Sequence, residues 1–174
     1  MRSRCSLLLL FLIVITGCKK ELLPVVAEQI NHFDHQIFEE SKLPPRATFF
    51  AVESPELETK EKSRRYLNLN GDWKFDFVKD PKQRPTTFQN IDFDDENWKT
   101  IPVPANWEVE GYDFPIYLDE RYPFDTKWPD APTDYNPVGT YRKEITLTKE
   151  FLSEDIVLHF EGAKSAMYVY VNGK

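Results

Sequence analysis

Ile101-Pro-Val-Pro-Ala-Asn-Trp-Glu-Val-Glu-Gly-Tyr-Asp-Phe-Pro-Ile-Tyr-Leu-Asp-Glu-Arg-Tyr-Pro-Phe124 is the stretch whose reading decides the fold. Pro102, Pro104, Pro115 and Pro123 punctuate it, and Trp107, Tyr112, Phe114, Tyr117, Tyr122 and Phe124 fill the intervals. Each proline fixes φ and removes a backbone donor, so neither a helix nor a central strand can run the length of the segment. A loop so rich in rings does not lie loose in water. Its aromatics must pack on a scaffold or face a ligand. The segment therefore reads as a stiff, shaped strap carried by β-structure.

The sequence on either side supplies that structure. Before the strap, Tyr66 to Val78 alternates, with Trp73, Phe75 and Phe77 on one face and Lys74 and Asp76 on the other. Phe88 to Trp98 is acidic with spaced rings, the pattern of a compact turn that points Phe93 and Trp98 inward. Asp94, Asp95 and Glu96 are adjacent acids, and a Ca²⁺ site needs about six to eight oxygens, so a solvated turn is the expected reading. After the strap, Gly139 to Leu147 and Ile156 to Phe160 alternate again, and Ala166 to Val171 is apolar on both faces, as a buried strand would be. His159 falls on the surface side of its strand and is not expected to be catalytic. Short strands between turn signals predict an all-β, antiparallel sandwich. Asn172-Gly173 is a strong hairpin signal, and a hairpin asks for a return strand. The expectation is a sandwich incomplete at its C-terminus, from a longer protein or a shortened gene, with an open edge.

The N-terminus reads differently. Arg2 and Arg4 precede an apolar run of nine residues, Leu7 to Ile15, too short for a bilayer span of roughly 20 residues but suited to a signal peptide. Thr16-Gly17-Cys18 follows, resembling a bacterial lipobox; a plain secretory signal with an incidental cysteine is the alternative. The expected organisation is a signal peptide over 1–17, a tether and extended arm over 18–65, and the partial sandwich over 66–174. Cys5 leaves with the leader and Cys18 carries lipid, so no disulfide is expected in the folded part. Such a chain is exported and anchored to a bacterial membrane, facing the periplasm or the cell surface; the absence of an acidic run after Lys19-Lys20 favours the periplasm.

Charge and composition narrow the function. The formal net charge is −7, and removing Arg2 and Arg4 with the leader brings the mature chain near −9, which argues against a nucleic-acid partner. Thirteen prolines against six glycines indicate stiff loops rather than flexible linkers. His32-x-x-His35 lacks a third ligand close by, so surface histidines are expected and no metal. The charged run Glu53 to Arg65 reads as a solvated loop or short helix. No glycine-rich phosphate loop and no G-x-S-x-G nucleophile elbow occurs.

The ordered motifs Leu69-Asn-Gly-Asp-Trp-Lys-Phe75, Phe93-Asp-Asp-Glu-Asn-Trp98, Val103-Pro-Ala-Asn-Trp107, Gly111-Tyr-Asp113, Pro115-Ile-Tyr117, Tyr122-Pro-Phe124, Asn136 to Arg142, Gly162 to Ala166 and Val171-Asn-Gly173 resemble the N-terminal sugar-binding domain of glycoside hydrolase family 2. The Gly-Tyr-Asp, Pro-Ile-Tyr and Tyr-Pro-Phe run is similar to its β-galactosidase branch, as is the arm Leu43 to Thr48. The resemblance implies a jelly-roll, galactose-binding-like sandwich, joined in full-length enzymes to an immunoglobulin-like domain and a TIM barrel. That barrel's two glutamates act with retention, about 5–5.5 Å apart. No residue of this sequence corresponds to those glutamates or to the family's Mg²⁺ ligands, so no catalytic residue and no cofactor is assigned here, although the resemblance implies Mg²⁺ and Na⁺ for the full-length enzymes. The same resemblance implies that Asp119, where the family usually has asparagine, contacts the galactosyl ring; as a carboxylate it accepts sugar hydroxyls but cannot donate. A solvated loop acid is the alternative. Trp107, Tyr112, Tyr117 and Tyr122 are candidates for stacking on sugar faces, with packing inside the loop as the competing role. The expected partners are a β-galactoside-containing glycan and, through lipid, a membrane, and the full-length enzyme is expected to be a homo-oligomer. A stand-alone carbohydrate-binding lipoprotein is the alternative function.

Overall fold

The structure is a computed structural model, and it describes residues 34–45, 47, 49–115, 125, 127–133 and 135–174. The leader, Cys18, His32 and all of the strap beyond Pro115 lie outside the described residues.

Among these residues the regular structure is all β, with short 3₁₀ turns and no α-helix. Strand β1, Gly71–Val78, is the central one. It pairs antiparallel with β2, Lys99–Val103, on one side and with β3, Val138–Arg142, on the other, giving the order β2-β1-β3. The first residues of the strap thus form an edge strand. An edge tolerates Pro102, because a proline there leaves no ladder bond unmade in the sheet interior.

The register explains the alternation in the sequence. Trp73 lies opposite Ile101, Phe75 opposite Lys99 and Tyr141, and Phe77 opposite Gly139. Partners in antiparallel strands share a face, so these residues form one aromatic side of the sheet. Lys74 lies opposite Thr100 and Arg142, and Asp76 opposite Thr140, which makes the other side polar. Phe75 and Ile101 are each only 1% exposed and mark the core.

The turn over 94–96 covers the polar side. The Asp95 carboxylate accepts from Arg142 Nε at 2.8 Å, and Lys74 Nζ donates to the Asp95 carbonyl at 3.0 Å. Arg142 also donates through Nη1 to the Phe88 carbonyl and, at 3.0 Å, to the Asn90 carbonyl. Thr140 is buried beneath this network. Asp95 is therefore half-buried and ion-paired rather than solvated, whereas Asp94 is exposed and accepts from the Glu96 amide at 3.0 Å. Phe93 and Trp98 are half-buried and meet edge to face at 5.5 Å.

Three strand expectations are corrected. The alternation from Gly139 to Leu147 forms a strand only as far as Arg142, and neither Ile156 to Phe160 nor Ala166 to Val171 is a strand. Ala166 to Val171 is not buried either: Met167 is 47% exposed and Val171 60%. The reason is lateral. A strand needs a partner strand in ladder register, and no strand among the described residues pairs with either segment, although Tyr170 packs edge to face on Phe88 at 5.4 Å. The predicted turn at their end does form. Asn172 (φ 52°) and Gly173 (φ 85°) both have positive φ, as a type I′ turn requires. Val171 and Lys174 exchange both backbone hydrogen bonds, at 2.7 and 3.2 Å.

The charged run Glu53 to Arg65 is more ordered than a solvated loop. It holds a 3₁₀ turn, Lys60–Lys62, and the buried Ser63. In the arm, Phe50 meets Tyr66 edge to face at 5.7 Å, while Phe38 is 86% exposed.

Candidate functional site

The strap crosses the aromatic side of the sheet immediately after β2. Four backbone hydrogen bonds shape its first turn: the Val109 and Glu110 amides donate to the Asn106 carbonyl at 3.0 and 3.3 Å, the Gly111 amide to the Glu108 carbonyl at 3.4 Å and the Tyr112 amide to the Trp107 carbonyl at 3.0 Å. Gly111 sits within it at φ 85°, a conformation that favours glycine. This turn delivers Trp107 and Tyr112 onto β1. Tyr112 meets Phe75 edge to face at 4.7 Å, and Trp107 meets Phe77 at 5.5 Å. Lys99 Nζ lies 5.7 Å from the Tyr112 ring centre.

Gly139 makes this seating fit. A Cβ at that position would stand 2.5 Å from Trp107 Cζ3 and 2.8 Å from Phe75 Cε2, well inside van der Waals contact. The rings of Trp107 and Tyr112 are thus engaged with the sheet, in the packing role that competed with sugar stacking. Trp107 Nε1 is sealed from solvent and has no hydrogen-bond partner among the described residues.

The end of the described strap is tied to the return of the chain. The Tyr135 hydroxyl donates to Asp113 Oδ2 at 2.6 Å, and the Phe114 and Tyr135 rings stack with centroids 5.9 Å apart. Asp113 Oδ1 also accepts from the Phe114 amide at 3.0 Å. Burial, then the bond to Asp113 and its negative charge, push the Tyr135 hydroxyl up to about 12. Burial also raises Tyr141. This pair was not evident in the sequence, since 22 residues separate its members and neither belongs to an alternating pattern. Gly139 could have been noticed, because a glycine inside a strand pattern often marks a close approach.

Asp119, Tyr117 and Tyr122, expected at the sugar, lie outside the described residues, and so does Cys18. No group of three or more His, Cys, Asp or Glu among the described residues could hold a metal ion. Among the same residues, no helix is long and apolar enough to cross a membrane.

Comparison with known proteins gives this arrangement a context. Residues 66–174 match the family model described as glycosyl hydrolases family 2, sugar binding domain. The chain belongs to glycosyl hydrolase family 2. The family match begins just before β1 and contains the whole sheet and strap. A β-galactosidase of Vibrio vulnificus (strain CMCP6) is 43% identical over 106 residues, covering 61% of this chain and 10% of that protein. One from Priestia megaterium (strain DSM 319 / IMG 1521) is 38% identical over 113 residues, 63% of this chain and 11% of that protein. The β-galactosidase of Lactobacillus delbrueckii subsp. bulgaricus is 33% identical over 143 residues, covering 80% of this chain and 14% of that protein. This family 2 chain thus spans about a tenth of the length of the curated relatives it matches.

Proposed function

We propose that this domain serves a β-galactosidase-type retaining glycoside hydrolase acting on terminal β-galactosides in carbohydrate metabolism. The observation that carries the reading is the family match over 66–174, together with relatives named β-galactosidase at 33–43% identity. The Gly-Tyr-Asp, Pro-Ile-Tyr and Tyr-Pro-Phe motifs of the strap support the same branch.

In this reading the complete domain is a jelly-roll sandwich, of which β1, β2 and β3 form part of one layer. The sheet seats the strap through Trp107 and Tyr112, and the Asp113–Tyr135 tie fixes where its outer portion departs and returns. In the same reading Asp119 accepts hydrogen bonds from sugar hydroxyls, and Tyr117 and Tyr122 stack on sugar faces. The reacting glutamates belong to sequence other than these 174 residues, so this chain by itself binds and positions but does not hydrolyse. The leader exports the protein, and acylated Cys18 anchors it to a membrane facing the periplasm or the cell surface.

The test has two arms. The purified chain is assayed on nitrophenyl β-D-galactoside, with no turnover expected. The full gene product is assayed on the same substrate, with the product anomer followed by NMR; β-galactose formed first is expected. Turnover by the 174-residue chain, or α-galactose as the first product, would contradict the reading. A stop codon directly after Lys174 would favour a stand-alone binding module instead.

A further inference from the structure

A groove of about 360 Å³ lies between the segment leading into β1 and the segment that follows β3, and no strap residue lines it. Leu67 and Leu147 give it an aliphatic lining, and Tyr66 and Phe151 an aromatic one. Arg64, Thr148 and Glu150 bring donors and acceptors to the same space.

Both walls are held by hydrogen bonds. On one side the Glu53 carboxylate accepts from the Ser63 hydroxyl at 2.5 Å and from the Arg64 amide at 2.9 Å, and Ser63 is only 4% exposed. The Tyr66 amide then donates to the Ser63 carbonyl at 3.2 Å. The Tyr66 ring is steadied by the edge contact with Phe50 and by Lys60 Nζ at 5.0 Å from its centre. On the other side Thr148 caps the turn Phe151–Ser153: its hydroxyl accepts from the Phe151 amide at 3.2 Å and its carbonyl from the Leu152 amide at 3.1 Å. The carboxyl of Glu150 is held below the usual carboxylate range by its own backbone N–H, then by Thr148 and by the positive charge of Arg64.

We propose that this groove is a binding subsite for a neutral mono- or disaccharide, lying on the sheet-side body of the domain rather than on the strap. The choice of ligand class rests on the sugar-binding reading of the family; the location rests on the groove. A pyranose presents an apolar C–H face and a rim of hydroxyls, and the lining offers rings and leucines for the first and Arg64, Thr148 and Glu150 for the second. One cation beside one anion leaves the groove without a net charge, which suits a neutral sugar better than a phosphate. The volume lies at the small end of ligand pockets, about 300–1,000 Å³, and so suits one or two sugar rings.

Titration of the ¹⁵N-labelled chain with lactose, followed by amide shifts, tests this. Saturable shifts at Arg64, Tyr66, Thr148 and Phe151 are expected, with a Kd on the order of 1–10 mM. Arg64→Ala and Glu150→Gln should each weaken binding about ten-fold, the loss expected for a hydrogen bond to a charged group. Unshifted Phe75 and Trp107 amides would show that each variant keeps its sheet, and if Arg64→Ala does not fold, Glu150→Gln carries the comparison. Shifts centred outside the groove, no saturation, unchanged affinity in the variants, or an equal response to inorganic phosphate would overturn the assignment. None of those outcomes bears on the β-galactosidase reading, which hydrolysis by the full gene product decides.

Discussion

Gly139 is the residue on which the seating of the strap depends. Its missing Cβ leaves room for Trp107 and Phe75 to meet over β3, with no demand on φ. Gly139→Ala should therefore destabilise the domain by about 1–3 kcal/mol through overpacking, read as a lower urea midpoint at unchanged slope. Tyr135 answers to a different measurement. Its hydroxyl is raised to about 12 in the folded chain, against an ordinary value of 10.0. The folded state thus holds this proton more tightly than the unfolded state does. The associated stability is fully present below pH 10 and is lost as pH rises through about 12. In an ultraviolet titration, Tyr135→Phe should remove one late tyrosinate step. Asp113→Asn should bring that step closer to 10 without reaching it, because burial is the larger cause.

The elements differ in how much of them the sequence revealed, and the difference follows from the range of the forces that make them. β1 was legible because its period of two is written in adjacent residues, Trp73, Phe75 and Phe77 against Lys74 and Asp76. The turn at Asn172-Gly173 was legible because positive φ at two successive positions selects those residues locally. The same turn can be tested: Gly173→Ala places a Cβ at φ 85°, costing about 1–2 kcal/mol, so exchange of the Lys174 amide should rise about ten-fold. What pattern could not give was the fate of Ile156 to Phe160 and Ala166 to Val171. The first alternates and the second is apolar on both faces, both sound local patterns, but a strand exists only beside a partner, and partnership is a property of distant sequence. The strap shows the converse. Over its described residues, 101–115, no helix forms, as its prolines require, yet Pro102 still entered β2, because an edge strand asks less of its donors. Of the site, the packing of Trp107 and Tyr112 onto β1 follows from their aromatic character, whereas the Asp113–Tyr135 tie depends on a fold that no local pattern encodes.

The described residues pair a well-packed centre with exposed apolar side chains towards the C-terminus. Phe75 contacts four other rings, those of Phe77, Trp107, Tyr112 and Tyr141, while Val157 is 54% exposed and Val169 45%. Such exposed apolar side chains should bind a hydrophobic dye and promote self-association of the isolated chain. The double variant Val157→Lys, Val169→Lys is expected to lower dye fluorescence and shift sedimentation toward monomer, leaving the urea midpoint little changed. An unaltered dye signal would show that the apolar surface lies elsewhere. The family match over 66–174 takes in both the sheet that seats the strap and these exposed valines. The most direct measurement is kcat/KM of the full gene product on nitrophenyl β-D-galactoside beside the matching β-D-glucuronide and β-D-mannoside. Clear preference for the galactoside is expected; preference for either of the others, or hydrolysis of none, would contradict the account.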